Sequence, residues 1–206
     1  MFTNSRNVVI NGGSFSLTIR QSSLDLGADI GVGPPGPPYP PPPSPPPPTP
    51  PPACPDLKAA VLLYRAFSPG VADHFYTADK AEMDRATSSP VYSAEGITGY
   101  IFPTQVTQTV PLYRSYSARN TDHFYTVDKA ESDRAAANLG YSYEGITGYV
   151  FPPSDSSCPG AAPWYRMYNP TIFNHFYTMS APERDNAVAN LGYSYEGIAA
   201  YILVSN

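Results

Sequence analysis

Cysteine, tryptophan and histidine are scarce in this chain of 206 residues, at two, one and three. Basic residues never cluster: Lys and Arg are interleaved among Asp and Glu, and the net charge is −5. That balance argues against nucleic acid or an anionic membrane as partner. No stretch approaches the roughly 20 apolar residues a membrane span needs. The opening Met1-Phe2-Thr3-Asn4-Ser5-Arg6 lacks the basic and apolar run of a signal peptide. Nor is there an Asn-x-Ser/Thr acceptor, since Asn169-Pro170-Thr171 is barred by its proline. These absences point to the cytoplasm, with non-classical secretion the other route. In the cytoplasm Cys54 and Cys158 would be thiols. Each precedes a proline and sits just ahead of a repeated block, so in an exported chain the two would be placed to pair.

Proline, by contrast, is abundant and concentrated, with 16 of 26 between Pro34 and Pro55. It divides the chain into a leader (1–32), a polyproline linker (33–56) and a domain (57–206). The linker is poor in N–H donors and is expected to stand as a left-handed extended rod, roughly 70 Å long at about 3.1 Å per residue. Its PxxP spacing makes an SH3- or WW-type domain a candidate partner, though spacer is the preferred reading. In the leader, Asn11-Gly12 between β-prone runs signals a hairpin. A lone two-stranded hairpin is marginal in water, so a flexible, disordered leader or a self-assembly signal is expected.

The domain carries 24 of the 27 aromatic residues and writes one block three times: Asp73-His74-Phe75-Tyr76-Thr77, Asp122-His123-Phe124-Tyr125-Thr126 and Asn174-His175-Phe176-Tyr177-Thr178. The histidines stand 49 and 52 residues apart. A second block, Glu-Gly-Ile at Glu95, Glu144 and Glu196, follows each histidine by 21 residues. An apolar strand with Tyr-Arg precedes each first block, and a helix start follows it. Asp79…Glu82, Asp128…Glu131 and Ser180…Glu183 have capping-box spacing. Gly140 and Gly192 suit helix C-termini, where the first repeat has Pro90-Val91 instead. Each closing block reads as a glycine-bent strand. The expected fold is α+β: three β-β-α-β repeats (57–103, 104–152, 153–206) closed about a pseudo-threefold axis. A β-trefoil-like fold is the alternative.

These blocks resemble a repeat domain of unknown function found in bacterial and fungal proteins. The second repeat carries its pattern most fully, from Leu112-Tyr113-Arg114 through Gly140-Tyr141-Ser142-Tyr143-Glu144-Gly145-Ile146-Thr147-Gly148-Tyr149-Val150-Phe151. The resemblance covers roughly residues 60–204 and departs at Pro90-Val91 and at Ala199-Ala200. In bacteria such domains look like accessories of secreted hydrolases, which implies binding to cell-surface or polymeric material. It brings no catalytic residues to carry over. The leader's Asn7-Val8-Val9-Ile10-Asn11-Gly12-Gly13-Ser14-Phe15 is similar to a short motif of intracellular fungal proteins.

A hydrolase needs one asymmetric site, and nearly every polar candidate here comes in triplicate. Gly140-Tyr141-Ser142-Tyr143-Glu144 lacks the second glycine of a nucleophile elbow, so no enzyme is expected. A His₃ metal site would need the three histidines to converge, and neither metal nor cofactor is expected. What remains is a binding module. Ligand contacts are expected at Asp73, His74, Tyr76, Asp122, His123, Tyr125, Asn174, His175 and Tyr177, on the turns and second strands. Arg65, Glu95, Arg114, Glu144, Arg166 and Glu196 are expected to be structural, pairing arginine with glutamate. Carbohydrate is the favoured ligand and a protein-interaction scaffold the alternative. Trp164 takes the place of Leu63 and Leu112 and is expected in the core.

Overall fold

The computed structural model describes residues 8–10, 13–15 and 54–204, in two units, Met1–Pro48 and Thr49–Asn206. In the first unit Val8–Ile10 (β1) pairs antiparallel with Gly13–Phe15 (β2), Val8 opposite Phe15. The rest of the leader and residues 33–53 of the proline linker, where its PxxP spacing falls, lie outside the described residues.

In the second unit each Tyr-Arg stretch forms the middle of three strands. Val61–Ser68 (β3) lies between Asp73–Thr77 (β4) and Ser93–Ile101 (β5). Val110–Ser117 (β6) lies likewise between Asp122–Thr126 (β7) and Ser142–Val150 (β8). Ala161–Asn169 (β9) lies between Asn174–Thr178 (β10) and Ser194–Leu203 (β11). The register slips twice along each closing strand, and one slip leaves Glu95, Glu144 or Glu196 without a partner opposite it. The glycine after each glutamate has φ of 103°, 126° or 119°, a left-handed backbone that favours glycine. A bulge of this kind re-aims a side chain, and here it turns the glutamate onto an arginine.

The α+β class expected from the sequence is corrected to a β-rich fold, and the three closed β-β-α-β repeats are not how the sheets divide. Strands β10-β9-β11-β5-β3-β4 form one curled six-stranded antiparallel sheet, and β7-β6-β8 form a second, three-stranded one. The division follows from one contact, Leu203 opposite Tyr100, which joins β11 to β5 in a ladder. The other edges meet only at the isolated bridges Phe102–Tyr149 and Phe151–Tyr201. Helices Lys80–Thr87 (α1), Lys129–Asn138 (α2) and Ala181–Asn190 (α3) are short, which is why strand dominates the class. Nor is the β-trefoil alternative found, because these helices occupy chain between the strands.

Helix starts also differ from expectation. Asp79, Asp128 and Ser180 are the N-caps, but only Ser180 accepts from the N–H of its glutamate as a capping box has it. The two aspartates accept one position earlier, from Ala81 and Ala130. The three caps' own N–H groups donate to Thr77, Thr126 and Thr178 Oγ1 at 3.1, 3.0 and 3.0 Å, so no glutamate reaches back to them. Glu82, Glu131 and Glu183 are thereby free for other partners. Helix α1 ends two residues sooner than α2 and α3, which run ten residues into Gly140 and Gly192 at φ of 76° and 77°.

The core centres on Trp164, wholly buried and stacked 4.5 Å from Tyr177. A second apolar cluster holds Phe102, Phe151 and Leu203 around Cys158 and Cys54. There the two cysteines form a disulfide across 104 residues, with Cα atoms 5.6 Å apart. Two free thiols are therefore not what the structure has. The bridge ties the first described residues of this unit to the turn ahead of β9. Closing so long a loop restricts the unfolded chain, by about 2–4 kcal/mol for a typical disulfide. Reduction is expected to lower the urea midpoint accordingly. An unchanged midpoint would mean the bridge constrains nothing.

Candidate functional site

The three segments meet at three seams, and each seam uses the same side chains. The middle strands supply Arg65, Arg114 and Arg166. Each arginine donates two bonds from its terminal nitrogens to a helix glutamate of another segment: Arg65 to Glu183 (3.1 and 3.1 Å), Arg114 to Glu82 (3.0 and 2.8 Å) and Arg166 to Glu131 (3.0 and 2.9 Å). Its Nε meets the bulge glutamate of its own segment, Glu95, Glu144 or Glu196, at 2.9 Å. The guanidinium lies over Phe176, Phe75 or Phe124 at 5.6, 5.4 and 5.4 Å. Such forked, stacked contacts suit arginine and not lysine. Burial alone would raise the carboxyls of Glu82, Glu131 and Glu183. The arginine bonds, with hydroxyls from Thr77, Thr126 and Thr178, outweigh that and hold all three below the usual glutamate value.

The residues expected to bind ligand lie in the same seams. Asp73, Asp122 and Asn174 are wholly buried. Asp73 accepts from His123 N and Nδ1 (3.0 and 2.7 Å), and Asp122 accepts from His175 N and Nδ1 (2.7 and 2.6 Å). The hydroxyls of Tyr92 and Tyr141 donate to the same two carboxylates. Tyr76, Tyr125 and Tyr177, also wholly buried, close a ring. Each hydroxyl donates to the carbonyl of the next tyrosine and accepts its N–H, over 2.6 to 3.0 Å. Burial pushes all three phenols well up. Each histidine is taken by its own seam, and among the described residues no group of His, Cys, Asp or Glu is placed to hold a metal.

The seam between the third and first segments differs by one atom. Asn174 Oδ1 meets His74 Nδ1 at 2.8 Å and accepts from the Tyr193 hydroxyl at 2.7 Å, while its Nδ2 is buried without a partner. No second carboxylate oxygen is there to accept the His74 N–H. Burial, reinforced by Arg65 and only partly offset by Asn174, lowers His74 to about 4. The unfolded chain therefore binds a proton between about pH 6.5 and 4 that the folded one does not, so stability falls as pH drops through that window. Asn174→Asp is expected to gain about 1 kcal/mol at pH 7. It should also flatten the loss down to pH 5, because His74 then has a carboxylate beside it. Thermal unfolding at both pH values checks this, and a destabilised variant at both would refute it.

The second and third segments leave a cleft of about 560 Å³ along their seam. One wall is Phe124, Ala135, Leu139 and Tyr141; the other includes Tyr168, Phe173 and His175. Asn120, Arg134 and Glu196 add polar groups to the rim. His175 presents Nε2 3.9 Å from Glu196 Oε2. Phe173 is 47% exposed and held at φ of 53°, an uncommon conformation for a bulky side chain. Ala72 and Thr121 hold the equivalent turn positions at 55° and 56°, so only this turn puts an aromatic ring there.

Residues 62–203 match the family described as Domain of unknown function (DUF5648). The chain belongs to this family. No curated protein and no solved structure matches it. The DUF5648 match takes in all three seams and the cleft, while Cys54 lies ahead of it. Its description carries no activity. Within the DUF5648 domain, sequence reasoning reached His175 and Glu196 but missed Asn120, Arg134, Leu139, Tyr168 and Phe173. The available signal was disagreement between segments, since Asn120 stands where the others have Val71 and Ile172.

Proposed function

We propose that this DUF5648 domain is a non-catalytic binding module for carbohydrate, presented by glycan or other polymeric cell-surface material. The observation that carries the reading is the cleft between the second and third segments. It combines aromatic faces for the C–H surfaces of a sugar with amide, guanidinium, imidazole and carboxylate groups for its hydroxyls. On this reading the segments are internal repeats of a kind shared by bacterial and fungal proteins, and the proline run is a spacer. His175 serves at the cleft wall, while His74, His123 and the buried Asp73, Asp122, Asn174, Tyr76, Tyr125 and Tyr177 support the seams that shape it. The Cys54–Cys158 bridge supports action in an oxidising compartment rather than the cytosol. No described helix is long and apolar enough to cross a membrane.

A scaffold reading draws on a different surface. Ile97, Tyr143, Ile146 and Tyr195 on the closing strands are 45–50% exposed, large apolar groups of the kind that a protein partner covers.

A glycan panel probed with the full chain separates the two. Binding to a defined sugar is expected, with Phe173→Ala losing about threefold to tenfold in affinity, the worth of one aromatic face. Thr121→Ala should bind as the parent does. If no glycan binds while a protein partner does, the scaffold reading takes over.

A further inference from the structure

We propose that the sugar is neutral, carries an acetamido group, and binds at the seam between the second and third segments alone. This deepens the carbohydrate reading and rests on it. Charge comes first. The cleft is lined by two carboxylates, Glu131 and Glu196, and two guanidiniums, Arg134 and Arg166. These two pairs of opposite charge cancel. Arg166 is committed to both glutamates; that trio keeps a net negative charge, which disfavours an acidic ring laid over it, and the exposed Arg134 disfavours an ammonium group. A neutral ligand meets neither repulsion.

The uncommitted groups then define the substituent. The Arg134 side chain is 63% exposed, with its nearest carboxylate, Asp128, 4.0 Å away. Leu139 is 65% exposed and lines the same wall with Ala135. A donor beside an apolar shelf matches a carbonyl beside a methyl, which is an acetamido group. Asn120 remains for a hydroxyl, and Phe173 for a ring face.

Neither other seam carries this set. At the positions of Asn120, Arg134, Leu139 and Phe173 the first-to-second seam has Val71, Arg85, Pro90 and Thr121. The third-to-first seam has Ile172, Asn186, Leu191 and Ala72, with Phe67 where the cleft has Tyr168. Donor, shelf and aromatic platform coincide once.

Calorimetry on the full chain tests this with three β-1,4-linked trimers, of N-acetylglucosamine, glucose and mannose. The acetamido sugar is expected to bind about tenfold tighter than the glucose trimer, the worth of one good polar contact. Arg134→Ala should erase that preference, Phe173→Ala should weaken every trimer that binds, and Arg85→Ala, on the corresponding face of α1, should change nothing. If the glucose or mannose trimer binds as tightly and Phe173→Ala still weakens it, the acetamido assignment is overturned and the carbohydrate reading stands. Equal losses from Arg85→Ala and Arg134→Ala overturn the single site. No binding by any trimer at millimolar concentration, beside a negative glycan panel, removes both inferences.

Discussion

Tyr125→Phe is expected to destabilise the domain by about 2–6 kcal/mol, although it deletes a single oxygen. That hydroxyl accepts the Tyr76 N–H at 2.9 Å and donates to the Tyr76 carbonyl at 2.7 Å. Strand β4 is an edge strand, last in the six-stranded sheet, so no neighbouring strand is placed to take over those two groups. Each buried backbone group left unpaired costs about 1–3 kcal/mol, and a domain has only about 5–15 in all. The volume and the edge-to-face packing, with ring centres 5.4 and 5.6 Å away, are kept. Chemical denaturation of the variant measures the loss. A midpoint within error of the parent would show that water satisfies the ring and that the tyrosines do not join the segments.

Arg166→Met carries the other large effect, about 3–5 kcal/mol, the range for removing one partner of a buried ion pair. It strands Glu131 and Glu196 beside each other, with their side chains only 29% and 31% exposed, and removes the cation over Phe124. The loss should shrink when Glu131→Gln is added, because the uncompensated charge goes with it. Acid acts on the same pairs. Glu82, Glu131 and Glu183 are held below 4.5 in the fold, so the stability they contribute is present above that value and lost as pH falls beneath it. A melting temperature flat from pH 5 to 3 would contradict this.

Much of this wiring was legible locally and misassigned globally. Three Arg-Glu pairs within segments were expected, and Arg65–Glu95, Arg114–Glu144 and Arg166–Glu196 are present. The capping boxes hid the stronger bonds. A threonine two residues ahead of each cap competes for its N–H and wins, and the freed glutamate reaches an arginine 32, 35 or 118 positions away. Spacing rules see four residues at a time and cannot register such a partner. The histidines follow the same logic. Neighbours in a strand point to opposite faces, so Asp73 cannot hold the ring of His74, and it holds His123 instead. The sheet division turned on Leu203 opposite Tyr100, a contact between the ends of two strands far apart in sequence that no motif announces. Phe173 escaped because a lone turn aromatic has no period to reveal it.

The one-seam claim is tested most directly by the histidines themselves, because each sits on a different seam. In the full chain with ¹³C-labelled histidine, the Cε1–H resonances of His74, His123 and His175 are followed while the N-acetylglucosamine trimer is added. The account predicts that the His175 signal moves in a saturable way, that His74 and His123 stay where they are, and that Phe173→Ala weakens the response. Equal movement of all three signals, or movement of His74 or His123 alone, would contradict it.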